Sequence, residues 1–574
     1  MKNLLKYLGN YKKECILAPL FKMLEALFEL TVPLVIAQMI DKGIRENAAA
    51  NIVRSFAFLV ALAAIGLCVS CIAQYFAAKA ATGFSMRLRH DLFAHILSFG
   101  FSEIDNVGTS TMITRMTSDV NILQNGVNMF LRLFLRSPFI VAGAMIMAFT
   151  IDFKSALIFV LVIASLAVTV YVIMKTNIPL LTRAQKRLDD VLCLVRENLS
   201  GARVVRAFTL EEDQIAAFTH TNADLTHIQK LAGKVSGLLN PMTYVIVNLA
   251  IVLLIRVGKI QIDAGILSTG QIVALYNYMS QILLELIKFA NLIVTLNKAF
   301  ASGERVNEIF GIRTDSEAEN PVLSLNINDE PVVEFRNVSL KYHEDADDAV
   351  SNISFTVKRG ETFGIIGGTG AGKTTVANLI PAFYKASEGE VLVCGNPVDS
   401  IETGVLRRFV GIVMQKSVLF EGTIRDNLKW GSPDASDEEL LTAVNAAVCS
   451  EVVEEKGGLD GHVEAGGRNF SGGQRQRLSI ARTLAARPEL LILDDSSSAL
   501  DYMTDKKLRE NIKGLPFKPT VIIIAQRTIS VRDCDNILVL DDGEQVGLGT
   551  HDELLKSCEV YREIYDSQYR KEDV

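Results

Sequence analysis

Gly367-Gly368-Thr369-Gly370-Ala371-Gly372-Lys373-Thr374 is the stretch on which the reading of this chain turns. It fits the pattern G-x-x-x-x-G-K-[ST], and its flanks give the pattern meaning. The apolar run Thr362-Phe363-Gly364-Ile365-Ile366 comes before it with the character of a strand. Thr375-Val376-Ala377-Asn378-Leu379-Ile380 follows with the character of a helix. Glycines in that setting let backbone N–H groups wrap phosphate at a helix N-terminus. Lys373 is placed to reach the β- and γ-phosphates of a nucleotide, and the Thr374 hydroxyl to ligate Mg²⁺. Strand, loop and helix in that order make a chance glycine-rich turn a poor explanation.

On the amino-terminal side, Val332-Val333-Glu334-Phe335 opens an alternating strand-like pattern. Before it, Asp315-Ser316-Glu317-Ala318-Glu319-Asn320-Pro321 reads as a linker. The chain therefore divides into residues 1–311, a linker over 312–330, and a nucleotide-binding domain over 331–574. Charge follows the same division: 30 Lys+Arg stand against 26 Asp+Glu up to residue 330, and 28 against 39 beyond it. With 49% apolar and 21% charged residues, the 574-residue chain is neither disordered nor collagen-like. No basic domain stands out, so no nucleic-acid partner is expected. The eight cysteines are scattered, which suits a reducing compartment. Cys68 and Cys71 have a redox or metal spacing, but their apolar surroundings favour two small buried hydrophobes on one helical turn.

The first part reads as membrane. A span needs about 20 mostly apolar residues. Residues 55–78, 155–174 and 235–255 carry no charge, and 137–151 is a shorter charge-free run ahead of a hairpin at Asp152 and Lys154. Residues 264–284 are charge-free and continue past Glu285 and Lys288 to Leu296, while the first candidate, 16–40, holds Lys22, Glu25 and Glu29. Six helices result. No cleavable leader is expected, because Ala18-Pro19 does not make a small-residue cleavage site behind a clean apolar core. Six Lys/Arg lie in 79–136 and nine in 175–234, against fewer in the opposite loops. Both termini and these two long, helix-like segments are therefore expected in the cytoplasm, at the cytoplasmic membrane. Glu25 and Glu29 share a helix face, and Glu285 and Lys288 are spaced to pair. They line a polar substrate cavity or pair structurally; the sequence leaves both readings open.

Two further motifs narrow the nucleotide reading. They are Phe470-Ser471-Gly472-Gly473-Gln474-Arg475-Gln476-Arg477 and, after it, Leu491-Ile492-Leu493-Asp494-Asp495. With the phosphate loop, they make the chain resemble the ATP-binding cassette (ABC) transporters over nearly its whole length. More narrowly, it resembles an ABC exporter half: a six-helix membrane domain with long cytoplasmic extensions, fused to one α/β P-loop ATPase domain. The resemblance implies ATP and Mg²⁺ as ligands, held by Gly367 through Thr374 and by Thr375. It implies that Tyr342 stacks on adenine, that Gln415 touches Mg²⁺, and that Asp494 holds Mg²⁺ through water. Ser498-Ala499-Leu500-Asp501 matches the family's D-loop. Ser471, Gly472, Gly473 and Gln474 match the signature that serves a partner subunit's nucleotide. Phe470 stands where the family usually has leucine. The segments 106–119 and 207–218 match the helices that couple the two domains.

Two positions depart from the family. After the Mg²⁺-binding aspartate the family usually has a glutamate that polarises the attacking water; here it is Asp495. The switch position usually holds histidine; here it is Gln526. One methylene less shortens reach by roughly 1.5 Å, and a misplacement of about 1 Å can cost about a hundredfold in rate. Glutamine still donates a hydrogen bond but carries neither imidazole's proton nor its charge. Both departures fall on hydrolysis and neither on binding, so the expectation is a site that binds ATP well and cleaves it poorly. With an intact signature, the chain is expected to pair with a different half-transporter that cleaves, and to move small amphipathic or drug-like compounds outward across the bilayer. The rival readings are a homodimeric exporter of lipid or peptide and an ATP-sensing regulatory membrane protein.

Overall fold

The computed structural model describes residues 4–312, 321–326, 331–343, 346–496, 498 and 500–569. Two compact units emerge, one of residues 1–97 with 110–312 and the other of residues 98–109 with 313–574.

The first unit holds six helical stretches long and apolar enough to cross a membrane: Leu4–Ile44, Ala49–Leu97, Thr109–Ile151, Phe153–Ser200, Glu211–Asp263 and Thr269–Gly311. Each runs well past the roughly 20 residues a bilayer requires, because polar helical sequence continues the apolar part. Asp152 makes the tight turn between the third and fourth spans, its carboxylate accepting from the Ser155 backbone N–H at 2.7 Å. At the start of the sixth span, Ser268 and Gln271 form a capping box. Asp41 of the first span accepts from the Gly270 N–H there at 2.9 Å. The spans touch through small residues: a Cβ on Gly126 would lie 2.4 Å from the Ala299 Cβ.

Cys68 and Cys71 are both exposed, not buried as their apolar surroundings suggested. In a membrane helix the apolar side faces outward as readily as inward, so hydrophobicity does not report burial. No group of three metal-ligating His, Cys, Asp or Glu side chains occurs among the described residues.

The membrane charges form one cluster. Arg136 bridges Glu285 (2.7 Å) and Glu29 (2.7 Å), and it is itself 6% exposed. Lys288 reaches Glu285 at 2.8 Å, Ser137 donates to the same carboxylate at 2.7 Å, and Lys22 pairs with Glu25 at 2.5 Å.

The second unit is built on a sheet. Its strands are β1 (Val333–Leu340), β2 (Val350–Val357), β3 (Thr362–Gly367), β4 (Glu388–Val393), β5 (Asn396–Pro397) and β6 (Val410–Val413). β9 (Leu490–Asp494), β10 (Thr520–Ala525), β11 (Asn536–Asp541) and β12 (Glu544–Gly549) complete it, while β7 (Gly422–Thr423) and β8 (His462–Val463) pair separately. The order is β5-β4-β1-β2-β12-β11-β3-β10-β9-β6. β11, β3, β10, β9 and β6 run parallel. Successive residues of the central strands alternate between two cores. Leu491, Leu493, Val521 and Ile523 join one, and Leu490, Ile492, Ile522 and Ile524 the other. Parallel strands covered on both faces read as the near-continuous apolar runs seen in the sequence.

Candidate nucleotide site

Parallel registry gathers what the sequence scatters. β3 ends at Gly367, β9 at Asp494 and β10 at Ala525, and Ile524 is level with both Ile365 and Asp494. The residues that leave these strands therefore meet at one edge, the usual position for ligands of open α/β sheets. Around that edge lies a cavity of about 300 Å³. It is lined by Tyr342, Ala349, Thr369 through Thr375, Gln415, Asp494, Asp495 and Gln526.

The loop curls because Gly370 and Gly372 have φ of +87° and +85°, which L side chains rarely adopt. Gly367 meets a different demand, since a Cβ there would lie 2.2 Å from the Leu540 carbonyl oxygen. Lys373 opens the helix Lys373–Leu379 and donates to the carbonyls of Gly367 (3.0 Å) and Gly368, so its ammonium sits inside the curl. Burial lowers its pKa from the usual lysine value against the opposing pull of Asp495 and Asp494. The Thr374 hydroxyl donates to Asp494 at 3.2 Å. Asp494 is 3% exposed, and burial raises its pKa above the ordinary carboxylate value. This pair of hard oxygen donors beside a phosphate-sized curl fits Mg²⁺, which binds through one or two carboxylates and keeps other positions for phosphate and water.

Asp495 adopts φ +46°, a left-handed conformation that aspartate tolerates better than most residues. Its backbone N–H donates to the Ile524 carbonyl at 2.9 Å. Its Oδ2 accepts from Gln415 Nε2 at 3.1 Å and from Gln526 Nε2 at 3.3 Å. Two side-chain amides thus converge on one carboxylate oxygen. Tyr342 stands at the cavity mouth, 39% exposed, with its hydroxyl 3.0 Å from the Thr375 hydroxyl.

Not every candidate residue lies here. Ser471 caps the helix Gly472–Ala485 in a box with Gln474, with Ser471 N–H to Gln474 Oε1 at 2.9 Å and Gln474 N–H to Ser471 Oγ at 3.3 Å. Ser471 and Gly472 are exposed, and none of the signature residues from Ser471 to Gln474 lines the phosphate-loop cavity. Asp501 caps the helix Tyr502–Lys513 and is also exposed, with Thr504 hydrogen bonds lowering its pKa. Two neighbours escaped the sequence reading. Ala349 lines the cavity just before β2, and the Tyr384 ring stands perpendicular to that of Tyr342, with centroids 5.0 Å apart and planes at 90°. Neither carries a motif.

Comparison with known proteins bears on the family and the fold. The family model of the ABC transporter transmembrane region matches residues 15–286, and the family model described as ABC transporter matches residues 350–498. YfiB of Bacillus subtilis (strain 168), described as an uncharacterized ABC transporter ATP-binding protein, is 34% identical over all of this chain and 99% of its own length. YfiC of the same organism, described in the same words, is 30% identical over all of this chain and 94% of its own. A solved bacterial Atm1-family ABC exporter with ATP bound shares the fold, with a TM-score of 0.81 over 97% of this chain and 98% of that one, at 23% identity.

Proposed function

The chain belongs to the ABC transporter family, and from that premise we propose that it is one half of an ATP-driven exporter whose own nucleotide site holds ATP–Mg²⁺ and cleaves it slowly. In this reading Tyr342 stacks the base, the loop from Gly367 to Thr375 cradles the phosphates, and Lys373 neutralises their charge. Thr374, Asp494 and Gln415 hold the metal. A metal held there would supply charge neutralisation to the phosphate oxygens.

The observation that carries the slow-cleavage reading is the crowding of Asp495 Oδ2 by the Gln415 and Gln526 amides. A water to be activated needs a free carboxylate oxygen within hydrogen-bond reach of it. Aspartate is one bond shorter than glutamate, and here the oxygen nearer the switch position already takes two donors. Neither amide can accept the proton onward.

The exposed N-terminus of the signature helix supports a partner: Ser471 through Gln474 do not line the phosphate-loop cavity and can be presented to a second nucleotide domain. We assign that partner the glutamate and histidine that this chain lacks. Both termini and the nucleotide domain lie in the cytoplasm, and the cargo is a small amphipathic compound leaving through the bilayer-spanning unit. The intact signature also permits two copies of this chain to pair, which is the second reading.

The test is to reconstitute the chain alone in nanodiscs and measure ATP binding and turnover together. Tight Mg²⁺-dependent binding with turnover near background fits the proposal. Brisk turnover by the lone chain, abolished by Asp495→Asn, favours the homodimer and overturns it.

A further inference from the structure

A second cavity, of about 260 Å³, lies in the same unit between the helix Tyr502–Lys513 and the sheet. It shares no lining residue with the phosphate-loop cavity. Leu493 of β9, Val521 and Ile523 of β10, and Ile512 give it an apolar floor that belongs to one hydrophobic core. Burial pushes the Cys534 thiol there up to about 12, so that side chain is uncharged as well. The rim has the opposite character. Tyr502, Lys506, Arg509 and Lys513 recur at helical spacing and share one face of their helix. Arg532 adds a fourth cation, against the carboxylates of Glu510 and Asp533. Cations thus lead here, although the region beyond residue 330 holds 28 Lys+Arg against 39 Asp+Glu. Of the four cations, only Arg509 is ion-paired among the described residues, with Asp505 at 3.0 Å. Arg509 also donates to the carbonyls of Ile529 (3.4 Å) and Ser530 (3.2 Å), and its buried Nε–H has no acceptor among the described residues.

We propose that this cavity is a binding site for a small amphipathic anion, which sets its charge at the cationic rim and its apolar body on the floor. Lys506, Arg509 and Lys513 stand three and four residues apart, a spacing at which like charges repel. An anion among them relieves that repulsion and gives the cations charge-assisted hydrogen bonds. Water serves the rim but not the floor, and a wholly apolar guest serves the floor but not the rim. Size narrows the class further. An apolar cavity of about 150 Å³ takes one benzene ring, so this larger one has room for a two-ring body carrying a carboxylate. The occupant would touch Tyr502, next to Asp501, and Ile529, three residues past Gln526. The inference does not depend on how fast the nucleotide site cleaves.

Equilibrium dialysis of tritiated naphthoate against the full chain in nanodiscs tests this, with empty nanodiscs subtracted and the nucleotide site filled by Mg²⁺ and adenylyl imidodiphosphate. A Kd of about 1 mM or tighter is expected for a ligand of this size. Naphthamide, a neutral probe of the same shape, should bind about tenfold more weakly. Inorganic phosphate, an anion with no apolar body, should not displace naphthoate. Lys506, Lys513 and Arg532 are exposed, so Lys506→Gln, Lys513→Gln and Arg532→Gln can be combined without disturbing the core. Together they should weaken naphthoate by about tenfold and leave naphthamide as it was. Glu510→Gln removes a carboxylate from the rim and should tighten naphthoate by no more than about fivefold. Naphthoate should also slow hydrogen–deuterium exchange of the backbone 502–513 and 528–534, and the triple variant should lose that protection. Each variant is checked for folding by its adenylyl imidodiphosphate affinity, which the account expects unchanged. No saturable naphthoate binding, equal affinity for naphthamide, displacement by phosphate, or full naphthoate affinity in the triple variant each overturns the proposal.

Discussion

In the proposed site, the chemistry at Asp495 hangs on one oxygen atom. Its Oδ2 is shared by Gln415 and Gln526 at 3.1 and 3.3 Å, so a restored glutamate needs a restored histidine to release it. Asp495→Glu with Gln526→His is expected to raise single-site turnover about a hundredfold, the scale on which a misplaced catalytic group is felt, and Asp495→Glu alone by less. The rate of phosphate release in single-turnover mixing checks this; an unchanged rate contradicts it. Asp494 makes a separate prediction. Its pKa is raised first by burial, so the folded state binds its proton more tightly than the unfolded state does. Stability from that preference is present below the unfolded pKa and is lost as pH rises through the folded one. At neutral pH the ionised carboxylate thus burdens the fold. Asp494→Asn should raise the thermal midpoint of the nucleotide-free protein at pH 7 while removing Mg²⁺-dependent ATP binding. The gain should shrink as the pH is lowered through the raised pKa, and a lower midpoint at pH 7 would contradict the burial argument.

Among the elements, the third span carries a charge whose partners lie far away in sequence. Arg136 stands immediately before the charge-free run 137–151, at the edge where a basic residue is ordinarily taken to mark the end of a span. It is instead buried against Glu29 and Glu285, residues 107 and 149 positions away. Pairings across that separation leave no local trace, whereas the Glu285–Lys288 pair, three residues apart, was legible from helical spacing. Glu285 lies 16 residues into the sixth span, about 24 Å at 1.5 Å per residue, inside a core of about 30 Å. The cluster balances: Lys22, Arg136 and Lys288 face Glu25, Glu29 and Glu285. Arg136→Ala leaves two carboxylates without their shared cation and should cost about 3–5 kcal/mol. Arg136→Met combined with Glu285→Gln should cost clearly less, because no buried charge is then stranded at Glu285. Unfolding of the helical unit in detergent measures both, and equal losses would show that the cation is not what the carboxylates require.

For the molecule as a whole, legibility followed contiguity. The phosphate loop, the signature and the strand ending in Asp494 are runs of neighbouring residues whose backbone conformation performs the work, so the sequence displays them intact. The approach of Gln415 and Gln526 to one aspartate depends on β6, β9 and β10 lying side by side, and the hold of Tyr384 on Asp105 spans 279 positions. Cys68 and Cys71 are exposed where their apolar surroundings suggest burial, because in lipid an apolar residue has no reason to hide. The same distinction governs function. In the proposed reading, the parts that grip a nucleotide line one cavity of this chain, while the signature residues Ser471 through Gln474 do not line it. The transporter in this account is therefore unequal, with one pocket keeping its ATP while the other turns over. The most direct test is to crosslink a photoreactive, α-phosphate-labelled ATP to this chain within the working transporter, after many rounds of hydrolysis, and identify the nucleotide recovered from it. The account predicts triphosphate. Diphosphate, appearing on this chain at the rate of overall turnover, would contradict it.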